Sequence, residues 1–391
     1  MRVLTYTSLF PNSHDPEHGV FVYQRMVHLA QRPLNTVQVV APIPWAPPRI
    51  SPARYRRTRS IPRKERVGGL SVLHPRYLLL PGLSMPMHGW FMFAGSRHLL
   101  RNLHAEQRFD VIDAHYVYPD GFAAMLAGKM LGLPVVVSAR GTDVNLFPQF
   151  KLIRPMIRWT LRNAIGGIGV CTPLRDAMVD LGLSINRATV IGNGVDLQRF
   201  TPLPREHARK HLAIQPDARV LVGVGALIPR KGFHLLIRAF AALTREVPKA
   251  TLYIVGEGIQ RRELETLVRE LRLSDKVFLP GKCPNEELRA WYSAADVSCL
   301  TSSREGWPNV LLESLACGTP VVATAVWGVP EVISSPMLGT LVQPSVPAIA
   351  DGLKQALAAC WDRDALVAHA RSRTWRVVAA ELEAFLEERL L

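Results

Sequence analysis

Two parallel α/β domains are what this sequence predicts, and three observations carry the prediction. At 391 residues the chain is longer than one ordinary hydrophobic core serves. Its opening alternates strand, glycine-bearing loop, helix and strand, as a parallel α/β sheet does. The alternation then resumes at residue 220, beyond a tight turn at Asn193-Gly194 and a linker at residues 201–206.

Taken in order, residues 3–7 read as a buried strand, 19–31 as a helix and 37–41 as the next strand. Gly19 marks either a plain turn or a place where backbone must approach something closely. Residues 42–66 change character: IPWAPPRI runs into Arg54, Arg56, Arg57, Arg59, Arg63, Lys64 and Arg66, with Glu65 the lone acid. Proline content makes this a loop. It is either a solvated basic loop or, over residues 49–66, an attractor of anionic lipid flanked by Trp45 and containing Tyr55. Residues 77–94 are apolar but interrupted by Pro81, Gly82 and Pro86, which suits core packing, an acceptor pocket or a headgroup-level segment.

A strand over 110–115 and a helix to about 131 follow, then an apolar strand at 134–138 that runs into Ala139-Arg140-Gly141-Thr142-Asp143. Ligands of open α/β sheets collect at such carboxyl strand ends. Arg140 is permanently charged and cannot act as a base, but it can hold an anionic group. His115, also at a strand end, is expected to be simply hydrogen-bonded. Residues 166–172 form the next strand and 173–181 the next helix.

The second domain opens with LVGVGALIPRKG. Gly223 and Gly225 begin a dinucleotide fingerprint, but its third glycine falls on Ile228, so the fingerprint fails. What remains is a strand, a turn, and a helix from Gly232 with Arg230 and Lys231 at its start, a pairing that favours a diphosphate. Strands at 250–256 and 276–282 and a helix over 285–295 lead to the strand 297–300 and the stretch TSSREGWPNVLLESLACGTP, residues 301–320. Here Pro308 suits a first helical position, leaving the amides of Asn309, Val310 and Leu311 free beside the positive end of the helix dipole. Glu305 and Glu313 flank that phosphate site, and carboxylates accept hydrogen bonds from sugar hydroxyls. A nucleotide-sugar pocket is one reading; a solvated Glu305 with an ordinary first-turn Glu313 is the other. Residues 321–324 continue the sheet, and an amphipathic helix over 375–390 closes the chain.

The net charge of +15 is uneven: residues 1–198 hold 23 Lys/Arg against 11 Asp/Glu, the rest 24 against 21. The first domain therefore expects an anionic partner, and without an aromatic RNA-binding pattern nucleic acid is the weakest choice. Five scattered cysteines lacking any C-x-x-C are expected to be buried, reduced thiols, with neither zinc nor disulfides. No apolar run is long enough to span a bilayer and the N-terminus lacks a secretory pattern. The expected location is cytoplasmic, either free or peripheral at the inner face of the membrane.

Glu305 and Glu313, with seven residues between them, followed by ACGTPVVAT at 316–324, resemble the E-x7-E region of the family 4 retaining glycosyltransferases of GT-B fold. Four further blocks resemble that family in order. His18-Gly19 stands for its Gly-Gly; Arg140 takes the histidine position of its HGTD loop. Residues 190–200 match its VIPNGVD…F block with Gly192 for proline, and Lys231 matches the lysine of its GRL…KG block. Ala226 stands where that block has arginine, and Arg230 is expected to substitute in part.

The resemblance implies two Rossmann-like α/β/α domains facing a cleft: 1–198 on the acceptor side, closed by a returning helix at 374–391, and 199–373 binding the nucleotide sugar. It implies transfer of a hexosyl unit, with retention, from a UDP- or GDP-linked donor to a glycan or lipid-linked acceptor, with no cofactor. No metal is expected, nor any D-x-D pair to hold one. Lys231 and Arg230 would neutralise the leaving phosphate, with Gly19 and the Asn309 and Val310 amides near the diphosphate. Glu305 would orient the donor sugar, Glu313 hold the ribose hydroxyls, Arg140 hold an anionic group, and residues 276–282 meet the base. An epimerase or hydrolase of nucleotide sugars on the same fold is the alternative; a pyridoxal-dependent phosphorylase and a nucleic-acid binder are weaker.

Overall fold

The computed structural model describes residues 1–47, 58–81 and 84–391. The chain divides into two compact units, Met1–Asn193 with Trp375–Leu391, and Gly194–Thr374.

The strands of the first unit are β1 (Arg2–Tyr6), β2 (Thr36–Val40), β3 (Ile43–Trp45), β4 (Lys64–Val67), β5 (Leu70–Leu73), β6 (Arg76–Leu78), β7 (Val111–His115), β8 (Val135–Ala139), β9 (Gly166–Gly169) and β10 (Ala188–Val190). Eight of them form a sheet in the order β10-β9-β8-β7-β1-β2-β5-β4, while β3 and β6 pair separately. Val3 sits between Val37 and Val111 in the parallel ladder. β7 and β8 are buried along their whole length and β1 from Val3 onward, so Asp113 and His115 of β7 are buried polar groups that need partners. One face buries Val3, Val39, Val111, Val136 and Ile168 under Val22, Met26 and Leu29 of the helix Val20–Ala30 and under Trp375, Val378, Leu382 and Phe385 of the helix Trp375–Leu390. The last helix therefore completes the first core.

Two expectations change here. Residues 42–66 are not one loop: Ile43–Trp45 is a strand, and Lys64–Val67 forms the antiparallel edge of the large sheet against β5. Glu65 Oε1 pairs with His74 Nε2 at 2.7 Å, and the cations of β4 line an edge, where charge discourages further strand pairing. The stretch 48–57, with Arg54, Tyr55, Arg56 and Arg57 of the proposed lipid-attracting segment, lies outside the described residues. The second change is the unit boundary. Phe200 is buried against Tyr292, and Val195 donates to the Arg373 carbonyl at 3.0 Å, so residues 194–198 join the second unit.

That unit holds β11 (Arg219–Val224), β12 (Ala250–Val255), β13 (Val277–Gly281), β14 (Val297–Leu300), β15 (Val321–Thr324) and β16 (Gly339–Val342), all parallel, in the order β13-β12-β11-β14-β15-β16. Alternation along β11 serves two cores. Val220, Val222 and Val224 pack with Trp291, Leu311 and Leu366, whereas Leu221 packs with Phe233, Leu236 and Ile349.

Of the cysteines, Cys171, Cys299 and Cys317 are buried, as expected, but Cys283 is partly exposed and Cys360 exposed; all five are thiols outside any disulfide. Among the described residues no helix is long and apolar enough to cross a membrane.

Leu382→Ala removes a side chain with no exposed surface from the first core. Urea unfolding should show a loss of about 2–5 kcal/mol; a loss below about 0.5 kcal/mol would mean the closing helix contributes little to that core.

Candidate functional site

Among the parallel strands of each sheet the order reverses once, between β1 and β7 and between β11 and β14. Adjacent connections leave such a pair on opposite sides, which opens a crevice beyond its carboxyl ends. The predicted residues gather at these two places.

In the second unit β11 leads through Gly225 into a single 3-10 turn, Pro229–Lys231, and then into the helix Phe233–Leu243. Gly232, at φ 65°, makes that junction, and any Cβ there would lie 2.1 Å from the Thr301 carbonyl oxygen. This close packing locks the turn after β11 to the turn after β14. Glu305 lies on that second turn, buried, and accepts from Lys231 Nζ at 2.6 Å, Ser302 Oγ at 2.7 Å and Arg230 Nη1 at 3.0 Å. Arg230 also donates to the Arg304 carbonyl at 2.7 Å. Burial pushes the Glu305 carboxyl up, but Lys231 and Arg230 outweigh it and hold it below its ordinary value. Two cations share one carboxylate, and the cluster keeps one net positive charge.

The helix beyond is Asn309–Ala316, so Pro308 is its N-cap and not its first residue. The Leu311 amide donates to the Pro308 carbonyl at 3.1 Å, which removes it from the three expected free donors; Asn309 and Val310 occupy the first turn. Glu313 sits deeper in that helix and accepts from Tyr292 Oη at 3.1 Å. Burial pushes its carboxyl up to about 7.

In the first unit Gly19 caps the helix Val20–Ala30 at φ 66°, where a Cβ would lie 2.3 Å from the carbonyl of Leu9, so close approach decides this glycine. Arg140, just past β8, donates to His115 Nδ1 at 2.7 Å and Asn193 Oδ1 at 3.3 Å and lies 5.1 Å from the Phe21 ring centre. His115 Nε2 lies 3.1 Å from Asp113 Oδ2. Burial pushes His115 down to about 4 against the pull of Asp113, so it is neutral at neutral pH. Burial and the neighbouring Arg25 oppose the Arg140 charge, whereas Asp113 and Asp143 support it. Asp143 fixes the loop by accepting from the amides of Val117, Gly141 and Arg140 at 2.8, 2.8 and 3.1 Å. Asp120 accepts from the Ser8 amide and is pushed by burial to about 7.

Ser302, Tyr292, Arg25, Asp113 and Asp120 were not anticipated as members of these networks. Arg25 had a visible signal, because it lies on the same helix face as Val22, Met26 and Leu29, where a charge must find a buried partner; it donates to the Ile191 carbonyl at 2.8 Å. The expectation that no D-x-D exists needs correction too: Asp362-Arg363-Asp364 is one. Asp362 accepts from the amides of Asp364 and Ala365, both at 3.0 Å, and so caps the helix Arg363–Ser372. Among the described residues no group of three or more potential metal ligands occurs.

The family pattern described as "Glycosyltransferase Family 4" matches residues 19–199, and "Glycosyl transferases group 1" matches 204–373. A D-inositol 3-phosphate glycosyltransferase of Actinosynnema mirum is 38% identical over 318 residues, covering 73% of this chain and 74% of its own. The chain belongs to the family 4 glycosyltransferases. Another relative of this glycosyltransferase, the putative teichuronic acid biosynthesis glycosyltransferase TuaC of Bacillus subtilis, is 28% identical over 360 residues, covering 90% of this chain and 88% of its own. The fold is that of sucrose-phosphate synthase from Thermosynechococcus elongatus (TM-score 0.77, 21% identity, 99% and 98% coverage). It is also that of Anabaena HepE in complex with UDP (TM-score 0.74, 18% identity, 99% and 100% coverage). The glycosyltransferase thus has the GT-B architecture of two Rossmann-like units.

Asp120 and Glu313 bind protons more tightly in the folded glycosyltransferase than in the unfolded chain, whose carboxyls titrate near 3.8 and 4.5. Their contribution is therefore fully present below about pH 4 and is lost as the pH rises through about 7. Across that window the Asp120→Asn, Glu313→Gln double variant should lose less stability with rising pH than the parent. Parallel stability–pH profiles would show that both carboxyls titrate normally.

Proposed function

We propose that the protein transfers a hexosyl unit, with retention and without a required metal, from a nucleotide diphosphate sugar to a lipid-linked or polysaccharide-precursor acceptor. The observation that carries this reading is the Arg230–Lys231–Glu305 cluster at the reversal point of the second sheet, beside the start of the helix Asn309–Ala316. A diphosphate brings more negative charge than Glu305 and draws both cations toward the leaving oxygen. Glu305, released from Arg230 and Lys231, then accepts from donor-sugar hydroxyls. Ion-pair exchange of this kind stabilises charge where it develops and needs no added cation. In this reading the amides of Asn309 and Val310 hold the phosphate and Glu313 holds the ribose hydroxyls.

In the transfer step the anomeric carbon–oxygen bond to phosphate breaks while the acceptor oxygen bonds to that carbon on the same face. The leaving phosphate oxygen takes the acceptor proton. No side-chain base is needed, which accommodates Arg140 at the head of its loop; the guanidinium holds an anionic group of donor or acceptor. The UDP in the HepE structure makes uridine nucleotides the first donors to test. The teichuronic acid role in the name of the Bacillus relative favours a polysaccharide precursor as acceptor. The proposed site of action is the cytoplasmic face of the membrane.

A thermal-shift panel of UDP- and GDP-sugars identifies the donor, because a binder raises the melting temperature by mass action. With that donor and an acceptor, Lys231→Ala and Glu305→Ala should each slow transfer by about 100- to 1,000-fold while keeping a folded-state spectrum, and chelation should leave the rate unchanged. Wild-type rates in either variant, or strict dependence on added divalent metal, overturn the scheme. Free monosaccharide released without acceptor identifies a hydrolase instead.

A further inference from the structure

One face of the first unit joins exposed apolar side chains to unpaired cations, and neither of the networks above uses it. It is built over an aromatic cluster. Phe122 meets Trp90 at 5.2 Å and Trp159 at 5.3 Å between ring centres, both edge-on. Tyr118 lies 6.3 Å from Phe147 and donates through its hydroxyl to the Met85 carbonyl at 2.7 Å. These contacts bring the start of the helix His88–Gln107 beside the turn Phe147–Gln149 and the helix Arg154–Asn163. Around the cluster Met87, Trp90, Leu146, Phe150 and Leu152 remain exposed, Leu152 at 71% and Trp90 at 45%.

The charge on this face has one sign. Lys151, Arg154 and Arg162 are exposed and Arg158 half-buried; Ala94, Arg97 and Arg101 extend the Trp90 face of the first helix at three- and four-residue spacing. No acidic residue occurs in 66–105 or in 144–175. Among the described residues none of these six cations enters an ion pair.

We propose that this face docks on an anionic lipid surface, with the five apolar side chains at the level of the acyl boundary and the six cations against headgroup phosphates. Tryptophan, leucine and phenylalanine ringed by arginine and lysine is the composition an interface of that kind selects. A protein partner would need its own acidic patch interleaved with apolar pockets, whereas an anionic bilayer supplies both over its whole surface. The proposal concerns binding and stands whether or not the acceptor is lipid-linked, so its test reads partition and not transfer.

The full chain is sedimented with phosphatidylcholine vesicles, with and without phosphatidylglycerol, at low and high salt. Binding is expected only with phosphatidylglycerol, and high salt should weaken it. The Lys151→Glu, Arg154→Glu variant should bind at least about 25-fold more weakly, at about fivefold per charge. The Phe150→Ser, Leu152→Ser variant should lose at least about tenfold, and both should melt as the parent does, since these side chains lie outside the core. Parental partition in both variants, or no wild-type binding to anionic vesicles, overturns the proposal. So does wild-type self-association that the serine variant abolishes while vesicles are ignored, because the occupant would then be a second copy.

Discussion

A buried carboxylate shared by two cations is the interaction that ties together the two turns at the centre of the second unit's sheet. Glu305 and Lys231 stand 74 positions apart in the chain, yet lie 2.6 Å apart in space. They meet because β11 and β14 are neighbours at the one place where the sheet reverses its order. Gly232 then lets the two turns touch, since its lack of a side chain admits the Thr301 carbonyl. Removing Glu305 would leave two cations in a partly desolvated crevice. Removing one cation would leave the buried acid to the other cation and Ser302. The three side chains are electrostatically coupled, and together they carry one surplus positive charge.

The first unit solves a different electrostatic problem at its own reversal point. Arg25 and Arg140 are deeply placed beside Asp113, and His115 lies between Arg140 and Asp113 as a neutral bridge. Asp143 accepts three amide hydrogen bonds, which fix the loop that carries Arg140. A guanidinium so held, by His115, Asn193 and the Phe21 ring, has few alternative positions.

Much of this was legible in the sequence because strands buried on both faces and glycines at close contacts leave strong local marks. Arg230 and Lys231 stand out as two cations at a helix start, whereas Glu305 and Gly19 each allow two local readings until the family resemblance weights them. The ion pairing among the first three was not legible, since nothing local records which side chain a residue will meet 74 positions away. The edge hairpin of β4 and β5 was hidden by its own arginines: composition argued for a loop, while the pairing of Glu65 with His74 favoured a strand. Pro308 was misplaced by one position, an ordinary error at helix ends, but one that assigned a free amide to Leu311.

The closing helix has a consequence for biosynthesis. Trp375, Val378 and Leu382 belong to the core begun by Val3 and Met26, so the ribosome makes the whole second unit before it supplies the last wall of the first. During translation the earlier-made unit must wait with an uncovered apolar face while the later-made one already has every segment it needs. The order of maturation is thus the reverse of the order of synthesis.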